Sequence, residues 1–75
     1  MRRVGSVVRT AQGLAIVRAP DETYADIGTD IVDDELSAVG SVVDVFGPVS
    51  RPYMAVSTTE STHLPALLGS VLYAR

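Results

Sequence analysis

Two valine-rich runs meet at Gly47-Pro48-Val49-Ser50-Arg51-Pro52, a stretch that suits neither a helix nor a regular ladder, and this break limits the fold more than any other part of the chain. Pro48 and Pro52 fix φ and lack a backbone donor, while Gly47 accepts angles closed to other residues, so the connection is predicted to be rigid and unpaired. Before it, Val39, Val42, Val43, Val45 and Phe46 are β-branched or aromatic, as a pleated, half-buried surface requires. After it, Tyr53, Met54, Ala55 and Val56 resume the pattern. Two strands are therefore expected, Ser37 to Phe46 and Pro52 to Ser57. Phe46, Pro48, Val49, Pro52 and Tyr53 are expected to project from the end of the sheet, and an apolar turn of pre-set geometry binds a partner at low ordering cost.

The other strands are shorter. Arg3 to Arg9 reads as the first and Leu14 to Val17 as the second, separated by Thr10-Ala11-Gln12-Gly13 and close enough to pair as a hairpin. Ala19 to Asp26 contains Pro20, the carboxylate pair Asp21-Glu22 and no alternation, which marks a surface loop. Asp30 to Asp33 is a third strand, Thr58 to Pro65 a second long loop, and Gly69 to Tyr73 the last strand. Ala66-Leu67-Leu68 adds one helical turn or plugs an end of the core. Six short strands and no amphipathic segment long enough for a stable helix predict an all-β chain. With only 75 residues, such a sheet buries enough only by closing on itself, which also removes its edges. The expectation is one domain over residues 1–75, a small six-stranded antiparallel β-barrel.

Composition narrows the functions. Without cysteine there is no disulfide framework, thiolate zinc site or thiol nucleophile. Met1 to Ser6 is not followed by the apolar run of a signal peptide, and no stretch approaches the ~20 apolar residues of a membrane span, so a soluble, cytoplasmic chain with no membrane partner is expected. The net charge is −3, and all six basic residues are arginine. A lysine-free, aspartate-rich chain resembles proteins of salt-loving archaea, whose acidic surfaces keep them soluble in brine. Screening over about 3 Å at 1 M salt removes long-range steering, and recognition then rests on apolar contact.

Sites for chemistry are few. Asp33-Asp34-Glu35 is a carboxylate cluster, but adjacent residues on an extended chain point to opposite sides and no calcium-loop spacing surrounds it, so it reads as a solvated turn. His63, the one histidine, sits in a polar loop without a second histidine or a cysteine beside it. No serine lies in a G-x-S-x-G elbow and no glycine cluster has phosphate-cradling spacing, so neither catalysis nor a cofactor is expected. RNA binding by stacking and charge needs clustered aromatics and a basic stripe, whereas this chain has one phenylalanine, three tyrosines and more acid than base. Arg2, Arg3, Arg9, Arg18 and Arg51 can touch a phosphate locally. A free-standing RNA-binding barrel of the OB or cold-shock kind is the alternative from another class.

The order of G-S-V-V-R (Gly5 to Arg9), G-L-A-I-V-R (Gly13 to Arg18), I-G-T-D-I-V-D (Ile27 to Asp33), V-G-S-V-V-D-V-F-G-P-V-S-R-P-Y-M-A-V (Val39 to Val56) and G-S-V-L-Y (Gly69 to Tyr73) resembles the core domain of the Gar subunit of box H/ACA ribonucleoproteins. The segment Gly40 to Tyr53 carries most of the likeness. The resemblance implies a six-stranded barrel of the translation-factor (reductase/isomerase/elongation-factor) type within a guide-RNA-directed pseudouridine synthase. It also implies a non-catalytic subunit that docks on the synthase subunit of dyskerin type, meets the H/ACA guide RNA only through the complex, and aids loading and release of substrate RNA during rRNA pseudouridylation. The nuclear assembly-factor paralogue shares the barrel, and the archaeal-looking composition argues against it. The sequence departs from many relatives in showing no glycine/arginine-rich arm, which leaves an accessory RNA contact of its own an open question. On the docking reading, the contact residues are Val45, Phe46, Gly47, Pro48, Val49, Pro52 and Tyr53.

Overall fold

A computed structural model describes residues 2–58 and 64–75. Their strands are β1 (Arg2–Ala11), β2 (Leu14–Arg18), β3 (Asp30–Val32), β4 (Ala38–Phe46), β5 (Tyr53–Thr58) and β6 (Val71–Ala74), with a four-residue helix, α1 (Leu64–Leu67), between the last two. In space they run β1-β2-β5-β4-β3-β6 and close into a barrel, every neighbouring pair antiparallel. His63, and most of the loop expected over Thr58 to Pro65, lie outside the described residues.

Alternation along each strand builds the core. Val4 and Val7 of β1, Ala15 and Val17 of β2, Val39 and Val42 of β4, Met54 and Val56 of β5, and Leu72 and Ala74 of β6 are buried together with Ile31. No ring enters this cluster; its largest fully buried side chains are Ile31, Met54 and Leu72. A barrel this small, with a Cα radius of gyration of 10.7 Å, is filled by valine and alanine. The hairpin joining β1 to β2 places Ala11 opposite Leu14, and Gln12 and Gly13 have φ of 50° and 81°. Positive φ at both central positions is the twist-matched two-residue turn.

Register shifts between Val7 and Arg9, Arg3 and Gly5, Ile31 and Val32, and Val42 and Asp44 bend the strands enough to close so few of them. The bulge in β4 corrects one expectation. Val43 is the inserted residue, so it leaves the half-buried surface and is 46% exposed.

Ala19 to Asp26 is not wholly a surface loop. Ala19 and Ala25 are buried in the core cluster, and the Ala25 N–H points at Met54 Sδ over 3.4 Å. Beyond it, Gly28 N–H donates to Val42 O at 2.8 Å and Val42 N–H to Thr29 O at 3.0 Å, lengthening the β3–β4 ladder backwards. The helical turn sits at Leu64–Leu67 rather than at Ala66 to Leu68. β6 begins only at Val71, because Gly69 and Ser70 exchange backbone bonds with Val7 on the way in. Ser37, Asp33 and Pro52, all expected in strands, stand just outside them, Pro52 because it has no N–H to give the ladder.

Candidate functional site

The register that builds the barrel also lines up a row of side chains on its outside. Phe46 of β4 is paired with Tyr53 of β5, and Tyr53 with Arg18 of β2. Met54 and Val17 are buried and Val45 packs against the core, so the period of two turns Tyr53, Arg18 and Phe46 outward. The Phe46 and Tyr53 rings stack with centroids 5.6 Å apart and planes 17° off parallel. The Arg18 guanidinium carbon lies 5.0 Å from the Tyr53 centroid. Because β5 runs between β2 and β4, arginine covers one side of Tyr53 and phenylalanine the other.

The turn after Phe46 is fixed at several points. Gly47 has φ of 91°, and a Cβ there would come within 2.8 Å of Tyr53 Cδ2, so only glycine lets the chain reverse against that ring. Arg51 N–H donates to Pro48 O at 3.2 Å. The turn is then tied to the end of β2, because Ala19 N–H donates to Pro52 O at 3.0 Å and Arg51 Nε–H to Ala19 O at 2.9 Å. Arg51 thus spends one donor on the fold. Of the five residues expected to project, Phe46, Pro48 and Val49 are exposed, Phe46 by 43% and Val49 by 90%. Tyr53 is half-buried in its stack, and Pro52 is buried beneath the turn, which corrects the expectation for that residue.

Phe46 is the wall between two hollows. One, of about 370 Å³, lies on the turn side and is lined by Glu22, Tyr24, Val45, Pro48, Val49 and Pro52 with Phe46 and Gly47. The other, of about 510 Å³, lies over the sheet between Val8, Arg9, Ala11, Ile16, Phe46 and Tyr53. The loop carrying Glu22 and Tyr24 is braced: Asp21 Oδ1 accepts Thr23 N–H at 2.8 Å, and the Thr23 N–H and hydroxyl hold the Asp21 carboxyl below its ordinary value. A ridge with apolar ground on both sides, on a backbone with little freedom left to lose, is suited to docking a shaped apolar surface.

The sequence profile described as Gar1/Naf1 RNA binding region matches residues 1–74. The chain belongs to the Gar1/Naf1 family. No curated protein matches it. The family is an accessory one of H/ACA ribonucleoproteins rather than a catalytic one, and membership gives the chain a part in such a particle. In this Gar1/Naf1 chain the Gly40 to Tyr53 segment runs from the third residue of β4 through the turn to the first residue of β5.

Val8, Ile16, Glu22 and Tyr24 were not among the contact residues read from the sequence, and Arg18 was read only as a local phosphate contact. They lie on β1, β2 and the β2–β3 loop, far from Phe46 in sequence and beside it only through the strand order β1-β2-β5-β4. A weak signal was present in Leu14-Ala15-Ile16-Val17-Arg18, where alternation puts Ile16 and Arg18 on one face. The carboxylates of Asp33 to Glu35 serve their own loop. Asp33 Oδ1 accepts the N–H groups of Glu35 and Ser37, both at 2.9 Å, and holds Leu36 at a φ of 66°. Among the described residues no group of three or more His, Asp or Glu side chains is placed to hold a metal ion.

Proposed function

We propose that this chain is the non-catalytic Gar-type subunit of a guide-RNA-directed pseudouridine synthase, docking on the dyskerin-type synthase subunit through the Phe46–Tyr53 ridge. It meets the guide RNA through the complex and promotes substrate RNA loading and release. The observation that carries the reading is the stacked pair held on a fixed turn between two largely apolar hollows. Val45, Gly47 and Pro52 support that ridge from behind, while Phe46, Pro48 and Val49 meet the partner.

The family description favours a second reading, direct RNA contact. Base-stacking proteins offer open ring faces. Here Tyr53 has Arg18 on one side and Phe46 on the other, so of the stacked pair Phe46 alone has a face to offer a base. The geometry fits an apolar protein surface better than a strand of bases.

A subunit that contributes no catalytic acid, base or nucleophile changes the rate of a complex by shifting conformational populations or by gating access and release. The element to be gated is the synthase loop over bound substrate RNA. Adding this chain to an otherwise complete complex is therefore expected to accelerate steady-state pseudouridine formation more than the first turnover. Single- and multiple-turnover rates with and without the subunit check it. Equal acceleration of both phases would mean assembly of the active site instead, and no effect on either would remove the assignment.

A further inference from the structure

Arg18 is the unusual member of the row. Its Nε is buried without a hydrogen-bond partner, and among the described residues its guanidinium makes no ion pair or hydrogen bond at all. An arginine in a folded protein normally spends its donors on a carboxylate, a carbonyl or water, and a buried donor left empty costs stability. Here the guanidinium sits over the Tyr53 ring with Nε buried, and its two terminal nitrogens have no hydrogen-bond partner among the described residues. A guanidinium held over a ring is pre-organised for a planar anion, because little rotamer freedom is lost when the anion arrives. The local charge is opposite to that of the molecule. The chain carries −3 overall, yet the one charged residue lining the sheet-side hollow is Arg9, with Arg18 one row beyond it.

We propose that Arg18 is the specificity-determining charge of the docking surface, and that the partner presents to it a carboxylate side chain, with an apolar side chain next to that carboxylate seated in the hollow between Val8, Ile16, Phe46 and Tyr53. The inference rests on the docking function proposed above and names the chemistry of the occupant, a protein surface bearing Asp or Glu beside an apolar group. Charge complementarity singles out this occupant: on an acidic molecule, two of the six arginines, Arg9 and Arg18, stand at and beside this apolar hollow with no acidic residue lining it, which favours an anionic partner at that spot. The stack makes the pairing dependent on Tyr53, which holds the guanidinium in place.

The test measures binding of this chain to the purified synthase subunit at several salt concentrations. Arg18→Met keeps an apolar stem over the Tyr53 ring and removes the charge; Arg18→Lys keeps the charge and removes the planar fork. Arg18→Met is expected to raise Kd about tenfold, equivalent to ~1.4 kcal/mol, and to flatten the salt dependence, with Arg18→Lys recovering part of both. A role confined to covering Tyr53 would leave Arg18→Met equal to the wild type in Kd and in salt dependence, and that result overturns the inference while the docking reading stands. Absence of binding by the wild type overturns both. The same variants are titrated against the H/ACA guide RNA alone: a charge-dependent loss seen there, and not with the synthase subunit, would make the anion an RNA phosphate and also overturn it.

Discussion

Gly40→Ala will not fold into the barrel. Gly40 sits in β4 opposite Thr58 of β5, where the two strands come so close that an added Cβ would fall on the Ser57 carbonyl oxygen and crowd its carbon and Thr58 Cα. All three obstacles are backbone, so no side chain can swing aside. The strands would have to separate, and β5 is the strand that carries Met54 and Val56 into the core and holds β4 to β2. A 75-residue domain has a total stability of about 4–11 kcal/mol. A backbone clash of this kind falls in the ~4 kcal/mol and above class of single-residue effects and takes most or all of it. Far-UV circular dichroism and thermal unfolding check the outcome: a variant with wild-type β-signal and midpoint would mean that the β4–β5 approach is looser than described.

Replacing Phe46 and Tyr53 together by alanine is expected to have the opposite profile, leaving the fold and removing the binding. Phe46 is exposed and the stacked pair contributes only about 0.5–1.5 kcal/mol beyond its buried area, so the barrel tolerates the loss. At an interface such rings are anchors, and truncating each costs ~2 kcal/mol or more, which for two of them lowers affinity for the synthase subunit by several hundredfold or more. Val45→Ala is the contrasting variant. Val45 packs against the core, so its truncation lowers the unfolding midpoint more than it lowers affinity. Titration calorimetry with the purified synthase subunit, paired with circular dichroism, separates the two. A folded double variant that binds like the wild type would place the docking surface elsewhere.

The barrel was legible because its signals are local. Valine-rich runs of strand length, a Gln12-Gly13 reversal and two proline-marked breaks name the strands, and the shortness of the chain leaves closure as the way to bury them. What stayed hidden depends on tertiary packing. Nothing in Val42-Val43-Asp44 announces which residue will bulge, and nothing in Ala19 or Ala25 says that a polar-looking loop dips two methyl groups into the core. The ridge was legible in half. Phe46, Pro48 and Val49 could be read from the turn itself, but Pro52 was misread because a proline in a turn looks exposed until the chain from Ala19 packs over it. Arg18 became part of the surface only once β2 was known to pair with β5, in the register that sets it against Tyr53.

The direct test of the central claim, that the Phe46–Tyr53 end is the docking surface, is an amide-exchange footprint of this chain with and without the purified synthase subunit. The account predicts slowed exchange at Val45, Phe46, Gly47, Val49, Ser50 and Tyr53, extending to Arg18 and to Glu22–Tyr24 across the two hollows. Slowing confined to the opposite end of β4, at the Asp33–Ser37 loop, or to β3 and β6, would contradict it.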